Sequence, residues 1–241
     1  MRAGRSTPVI RRYLDPELFE GATAVLTGDA GHRLARVMRV QSGDELHVFD
    51  GRGHERAARV AAAAGGEVTL SLLDAVAPPP EAPVEIVLCC AFPRAQRGDW
   101  IIEKGTELGV AAFVPLEAMR AVLRPGDGRL DRWHRIAISA AEQCRRAVVP
   151  PIEGDLDGLD AMLVCDLTDA PLPTIPQALD ALPEAPARLG VAIGPEGGWS
   201  DDERAAWREQ GAYLVTLGPQ SLRVETAAIV AVAYALEATA R

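Results

Sequence analysis

The rhythm of apolar and polar positions changes near residue 80. Ahead of that point apolar residues come in short runs, at residues 24–26, 45–49, 56–61 and 67–72, each with the length and pattern of a strand. Turn signals separate them, at Gly21, Gly28, Gly43-Asp44, Gly51-Arg52-Gly53 and Gly65-Gly66. One helical stretch, residues 32–40, interrupts the series. Short strands joined by such turns predict a compact β-barrel over residues 1–75. Residues 76–83 hold Pro78-Pro79-Pro80 and Pro83, too much proline for a helix or a central strand, and predict a stiff linker.

Past the linker, apolar runs at residues 84–91, 111–116, 161–165, 189–193 and 213–217 alternate with helical stretches, of which 99–109, 132–144 and the alanine-rich 224–240 are the longest. That alternation predicts an α/β fold with a parallel sheet covered by helices on both faces. Residues 171–186 read as loop with one short helix at 175–182.

Composition narrows the classes. A hydrophobic content of 48% supports a packed core. No apolar stretch reaches the length of a membrane span, and Met1-Arg2-Ala3-Gly4-Arg5 leads into no apolar core of the signal-peptide kind, so the expected location is the cytoplasm. Cys89, Cys90, Cys144 and Cys165 lack the spacing of a disulfide framework or a zinc site and are expected as free thiols. His32, His47, His54 and His134 show no metal-ligand spacing, and no metal is expected. A net charge of −9 speaks against a nucleic-acid partner until its distribution is considered: residues 1–75 hold ten arginines and ten acids, residues 94–146 hold ten basic groups and seven acids, and the acid excess lies in residues 147–241. The local field decides binding, so the first two stretches remain able to meet phosphate.

The chemistry concentrates in two glycine-rich loops. Ile193-Gly194-Pro195-Glu196-Gly197-Gly198 follows one apolar run and leads to Ser200, an N-cap whose capping box is completed by Glu203. Leu217-Gly218-Pro219-Gln220-Ser221-Leu222-Arg223-Val224-Glu225-Thr226 follows the next run and opens the last helix, with Glu225 in its first turn where the helix dipole favours an acid. Glycine lets a backbone approach a ligand closely and adopt positive φ, so amides and carbonyls become binding groups. The early Gly-x-Gly-x-x-Gly and phosphate-loop signatures of nucleotide-binding α/β enzymes are absent, as are His-Glu-x-x-His and Gly-x-Ser-x-Gly.

Together the two loops resemble the C-terminal signature of the SPOUT methyltransferases, and GPEGG followed by LGPxxLRxET is similar to one branch, the RsmE family of ribosomal RNA uridine N3-methyltransferases. The stretch from Asp99-Trp100 to Leu108-Gly109 resembles that family's first helix and Arg132-Trp133 to Gln143-Cys144 its second. Val37-Met38-Arg39-Val40, Gly43-Asp44-Glu45-Leu46 and Phe49-Asp50-Gly51 resemble its small domain. The resemblance implies a PUA-like β-barrel RNA-binding domain at 1–75, a proline-rich linker at 76–83 and a SPOUT domain with a deep trefoil knot at 84–241. It also implies a homodimer that uses S-adenosylmethionine to methylate N3 of a uridine in 16S ribosomal RNA, with the RNA or the small ribosomal subunit as partner.

On that resemblance the donor is held by Leu167, Ile193, Gly194, Gly197, Gly198, Leu217, Gly218, Ser221, Leu222 and Thr226. Arg223 stabilises the uracil oxyanion or holds phosphate, Glu225 orients Arg223, and Glu196 orients the base or the donor. RNA is met by Arg5, Arg11, Arg12, Arg36, Arg39, Arg97 and Lys104. Two positions depart from the family pattern: Gln220 stands where a basic residue is common, and Met119-Arg120-Ala121-Val122 lacks the small polar residue often found after the equivalent strand. Three other readings stay open at this point: a SPOUT enzyme with a tRNA or ribose 2′-hydroxyl target, a non-catalytic RNA-binding module, and a small-molecule α/β enzyme, which leaves the N-terminal arginines unexplained.

Overall fold

The structure, a computed structural model, describes residues 10–94, 96–116, 127–153 and 156–240. The chain forms two compact units. The first runs to Pro80 and takes in Ala141–Val149 as well; the second comprises Glu81–Ala140 and Pro150–Arg241.

In the first unit β1 (Arg11–Tyr13), the short helix α1 (Pro16–Phe19), β2 (Thr23–Leu26) and α2 (Gly28–His32) come first. Helix α2 runs directly into a π-helical turn, Arg33–Val37. Strands β3 (Glu45–Phe49), β4 (Glu55–Ala64) and β5 (Glu67–Val76) complete a sheet in the order β1-β3-β4-β5-β2. Strand β1 lies parallel to β3 and every other pair is antiparallel. Alternation sends one set of side chains inward: Leu46 and Val48 from β3, Ala58 and Val60 from β4, and Val68, Leu70 and Leu72 from β5. They close a core with Leu14, Leu26 and Leu34.

Strand β1 and helix α1 have no counterpart in the sequence reading. Two of the three residues of β1 are arginines, and both are buried, each 6% exposed. The Arg11 guanidinium is gripped by both oxygens of Glu55, lies 5.1 Å from the centre of the Phe49 ring, and donates to the Arg146 carbonyl at 3.3 Å. Arg12 pairs with Glu142, which also accepts the Tyr13 amide at 3.1 Å. Residues Ala141–Val149 thus supply part of this unit's interior: Ala141 and Ala147 pack on Phe49, with Tyr13 and Val149 beside them, and the Val149 amide donates to the Gly51 carbonyl at 2.9 Å.

Burial alone would push the Glu55 carboxyl up, but its bonds from Arg11 and His47, the latter at 2.7 Å, outweigh this and hold it below the ordinary glutamate value of 4.5. A depressed folded-state pKa contributes stability that is complete above the unfolded value and is lost as pH falls through the folded one. Urea unfolding midpoints measured from pH 7 down to pH 3 should therefore drop more steeply below about 4.5 in the wild type than in Glu55→Gln; parallel curves would remove Glu55 from the acid limb.

In the second unit β6 (Glu85–Cys90), α3 (Gln96–Leu108), β7 (Ala112–Pro115), α4 (Asp127–Cys144), β8 (Ala161–Cys165), α5 (Ile175–Asp180), β9 (Arg188–Ile193), α6 (Asp201–Glu209), β10 (Tyr213–Val215) and α7 (Val224–Thr239) alternate, the last turn of α4 passing into the first unit. The sheet order is β10-β8-β9-β6-β7 and every pair is parallel. Its strands read as near-continuous apolar runs because both faces are covered; β6 and β9 each bury five of six residues. Ser200 caps α6 with Glu203 closing the capping box, as its spacing predicts. Helix α4 starts five residues earlier than the stretch 132–144 indicates, and β10 ends two residues before 217. Residues 119–122 lie outside the described residues. No described helix is long and apolar enough to cross a membrane.

Candidate active site

Register brings the loops together. Cys90 and Cys165 are both paired with Ile193, and Val215 with Cys165, so β6, β8, β9 and β10 end at one edge of the sheet. In open parallel sheets the crevice beyond the carboxyl ends of the strands is where ligands sit. The segments after β8, β9 and β10 line a cleft of about 430 Å³ there. Nine of the ten residues expected at the donor are in its wall: Leu167, Ile193, Gly194, Gly197, Gly198, Leu217, Gly218, Ser221 and Leu222; Thr226 is not. Asp166 and Gln220 also line the cleft, as do Trp199 and Arg204, two residues with no counterpart in the sequence reading.

Two glycines shape the walls for different reasons. Gly218 has φ +126°, a conformation that side-chain-bearing residues rarely adopt, and a Cβ built on it would point into nearly open space. Gly194 has no positive φ; a Cβ there would sit 2.9 Å from Trp199 Cε2. Its missing side chain makes room for an indole, whereas the sequence alone suggests room for the donor. Trp199 is 3% exposed, donates from Nε1 to the Cys165 carbonyl at 3.0 Å, and packs edge-on against Trp207 at 5.8 Å. One tryptophan thereby joins the loop after β9 to the end of β8.

Asp166 is held by Arg204, whose Nε donates to Oδ2 at 2.7 Å, and Arg204 also reaches Asp201 at 3.0 Å. Burial, with Asp166 adding to it, pushes the Cys165 thiol up to about 12, so Cys165 is not a thiolate nucleophile at neutral pH. Burial and then Cys89, Glu196 and Glu225 push the Cys90 thiol well above its ordinary value.

The charged residues rearrange the expected roles. Glu225 does not pair with Arg223; its partner is Arg97 in the first turn of α3, at 3.8 Å, and the same Nη1 of Arg97 lies 3.2 Å from Glu196. Arg97, expected at RNA, thus bridges two carboxylates. Arg223 occupies the N-cap of α7 with no side-chain capping bond, is exposed, and has no ion pair among the described residues. Proximity in sequence suggested the Arg223–Glu225 couple, but an N-cap residue and one in the first helical turn project differently, and the chain-distant Arg97 fills the gap.

Of the remaining residues expected at RNA, Arg5 lies outside the described residues. Arg11 and Arg12 are buried in the ion pairs of the first unit, where phosphate does not reach them. Lys104 is engaged on its own helix by Glu103 and Glu107, both at 2.8 Å. Arg36 and Arg39 are exposed, together with Arg33, Val37 and Met38. This stretch is the π-helical turn and the residues after it, and Arg39 carries φ +55°, an uncommon conformation that marks a locally strained backbone.

Comparison with known proteins agrees with this architecture. Residues 80–236 match the model of an RNA methyltransferase domain and residues 26–73 that of an RNA methyltransferase PUA domain. The ribosomal RNA small subunit methyltransferase E of Synechocystis is 36% identical over 92% of this chain and 76% of its own length. That of Mycobacterium bovis is 36% identical over 91% of this chain and 88% of its own. Among solved structures, the ribosomal RNA small subunit methyltransferase E of Neisseria gonorrhoeae bound to S-adenosyl methionine superposes with a TM-score of 0.81 at 31% identity, covering 94% of this chain and 96% of that one. A Legionella pneumophila methyltransferase in complex with SAM superposes with a TM-score of 0.85 at 28% identity, covering 96% and 98%. With both domain models matched in order and relatives aligned over most of their length, the chain belongs to the ribosomal RNA small subunit methyltransferase E family.

Proposed function

We propose that the cleft binds S-adenosylmethionine and that the enzyme transfers its methyl group to N3 of a uridine in 16S ribosomal RNA, acting on the RNA or on the small ribosomal subunit. The carrying observation is the cleft at the strand ends. Its 430 Å³ falls within the range of about 300–1,000 Å³ typical of small-molecule sites. Leu167 and Leu222 line it while 47% and 38% exposed, apolar surface that a flat purine would cover. Gly198 and Gly218 line the cleft without a Cβ to fill it, and their loops are held from within: the Gly198 amide donates to the Pro195 carbonyl at 2.9 Å, and the Gly218 amide and carbonyl both meet Thr216 Oγ1 at 3.1 Å.

When bound, S-adenosylmethionine supplies a sulfonium-bound methyl group, whose S–C bond breaks as the N–C bond forms while the imide proton leaves to solvent. The chain's own part is positioning and charge stabilisation. Arg223, exposed beside the cleft loop and without an ion pair among the described residues, is the guanidinium able to reach a uracil oxygen as negative charge develops there. The reading is tested by incubating the protein with labelled donor and small ribosomal subunits and digesting the RNA to nucleosides. Label in 3-methyluridine supports it, whereas label on a ribose hydroxyl assigns a different target.

For RNA docking we propose the exposed stretch Arg33, Arg36 and Arg39 with Val37 and Met38, in place of Arg11 and Arg12. Phosphate contacts carry a salt dependence of about 0.9 in log–log slope per contact with a duplex. Arg36→Ala/Arg39→Ala should therefore flatten the salt dependence of RNA binding by about 1–2 and leave donor affinity unchanged; an unaltered slope would move the RNA contact elsewhere. The homodimer is part of the proposal: α3 and α7 pack on each other and carry the exposed aromatics Trp100 and Tyr234, 40% and 48% exposed. Light scattering that returns the mass of a single chain would remove it.

A further inference from the structure

Among the described residues, Glu196 and Glu225 share one countercharge, Arg97. Arg97 Nη1 stands 3.2 Å from one and 3.8 Å from the other, so the group of three carries a net charge of −1. Glu196 lines the cleft; Glu225 does not, but it sits in the first turn of α7 between the lining residues Val224 and Ala227 and is joined to Glu196 through Arg97. The other acids of the cleft are accounted for: Asp166 is buried in a two-point grip by Arg204, and Asp201 is fully exposed to water. Glu225 is different. Its side chain is only 14% exposed, and its Oε2 is buried and accepts no hydrogen bond among the described residues. A buried carboxylate oxygen left in that state is costly unless positive charge stands close by. Arg97, 43% exposed and divided between two acids, supplies only part of it. The two carboxylates also raise the neighbouring Cys90 thiol, so their field reaches into the wall beneath them.

We propose that Glu196 and Glu225, bridged by Arg97, form an anionic subsite that reads the charge of the methyl donor, holding the sulfonium form more tightly than the neutral thioether that remains after transfer. The inference rests on the reading of the cleft as the donor site. It assigns opposite duties to the charged groups around the cleft: the acids and Arg97 face the donor, and Arg223 faces the nucleic acid. Loss of the sulfonium charge on transfer then weakens the hold on the spent donor and favours its exchange.

Isothermal titration of the full chain with S-adenosylmethionine and, separately, with S-adenosylhomocysteine tests this, since the two ligands differ in the methyl group and its positive charge and share the same ammonium and carboxylate. Glu196→Gln, at a half-exposed position outside the core, should bind S-adenosylmethionine about fivefold more weakly while S-adenosylhomocysteine is unaffected, the factor expected of a partly solvated charge pair. Glu225→Gln should act in the same direction. Arg97→Ala leaves both carboxylates uncompensated and should raise the preference for the sulfonium ligand over wild type. Equal weakening of both ligands would mean that the acids grip the ammonium and would overturn the proposal, as would an unchanged preference in both Gln variants. Wild-type protein that binds neither ligand would overturn the donor-site reading beneath it.

Discussion

Arg223→Ala is expected to lower single-turnover methylation by about 10²–10³-fold, or about 2.7–4 kcal/mol, with donor affinity unchanged, if Arg223 behaves as one lost donor to a developing oxyanion. The structure makes the experiment clean. Arg223 is exposed, holds no ion pair among the described residues and caps no amide of α7, so its removal breaks no described side-chain bond. Arg223→Lys should recover little, because an ammonium lacks the planar fork that reaches a uracil oxygen and a phosphate together. Rates are to be followed on small-subunit RNA or subunits and scored at uridine N3, with thermal melts as the control for folding. Near-normal turnover in Arg223→Ala would relieve Arg223 of any part in the chemistry.

The second large effect comes from a pair of glycine variants that should separate binding from stability. Valine at Gly218 meets almost no neighbour, Gln220 Oε1 at 3.9 Å being the nearest, but it cannot comfortably hold φ +126°. Forcing it costs on the order of 1–3 kcal/mol, which the loop relieves by moving. Because that loop is a wall of the cleft, S-adenosylmethionine affinity should fall by about 5- to 150-fold while the melting temperature stays near wild type. Valine at Gly194 collides instead with an indole that is buried and hydrogen-bonded to the Cys165 carbonyl. Overpacking of this kind costs about 1–3 kcal/mol, and Gly194→Val should therefore lower both the melting temperature and donor affinity. Unchanged donor affinity in a folded Gly218→Val protein would sink the assignment of the cleft.

Much of this was legible in the sequence, and the failures share a cause. The five strands of the parallel sheet announce themselves because burial on both faces leaves little room for polar residues. The two glycine loops are legible because backbone geometry restricts the residue type locally. Side-chain pairing across long sequence separations leaves no such trace. Arg11 and Arg12 look like surface cations, yet β1 buries them because Glu55 and Glu142, 44 and 130 residues away, neutralise them. The same blindness sets Arg223 beside Glu225, when a contact between α3 and α7 ties Arg97 to Glu225. Gly194 lies in the cleft wall, but the reason for a glycine there, Trp199, lies in the packing and not in the dihedral angle.

The nine residues Ala141–Val149 bear on how the protein is made. They finish the interior of the N-terminal unit, placing Ala141 and Ala147 on Phe49 and Glu142 on Arg12, so that unit cannot close when residue 80 leaves the ribosome. Nascent chains grow at about 5–20 residues per second, so the first sheet waits several seconds for its last pieces, with the buried arginines still lacking one of their acids. By then β6, α3 and β7 have also been synthesised. The order of translation therefore does not yield a finished N-terminal unit followed by a second one; the two complete their cores in overlapping time. A shortened chain ending at the proline linker should aggregate where the full-length protein does not.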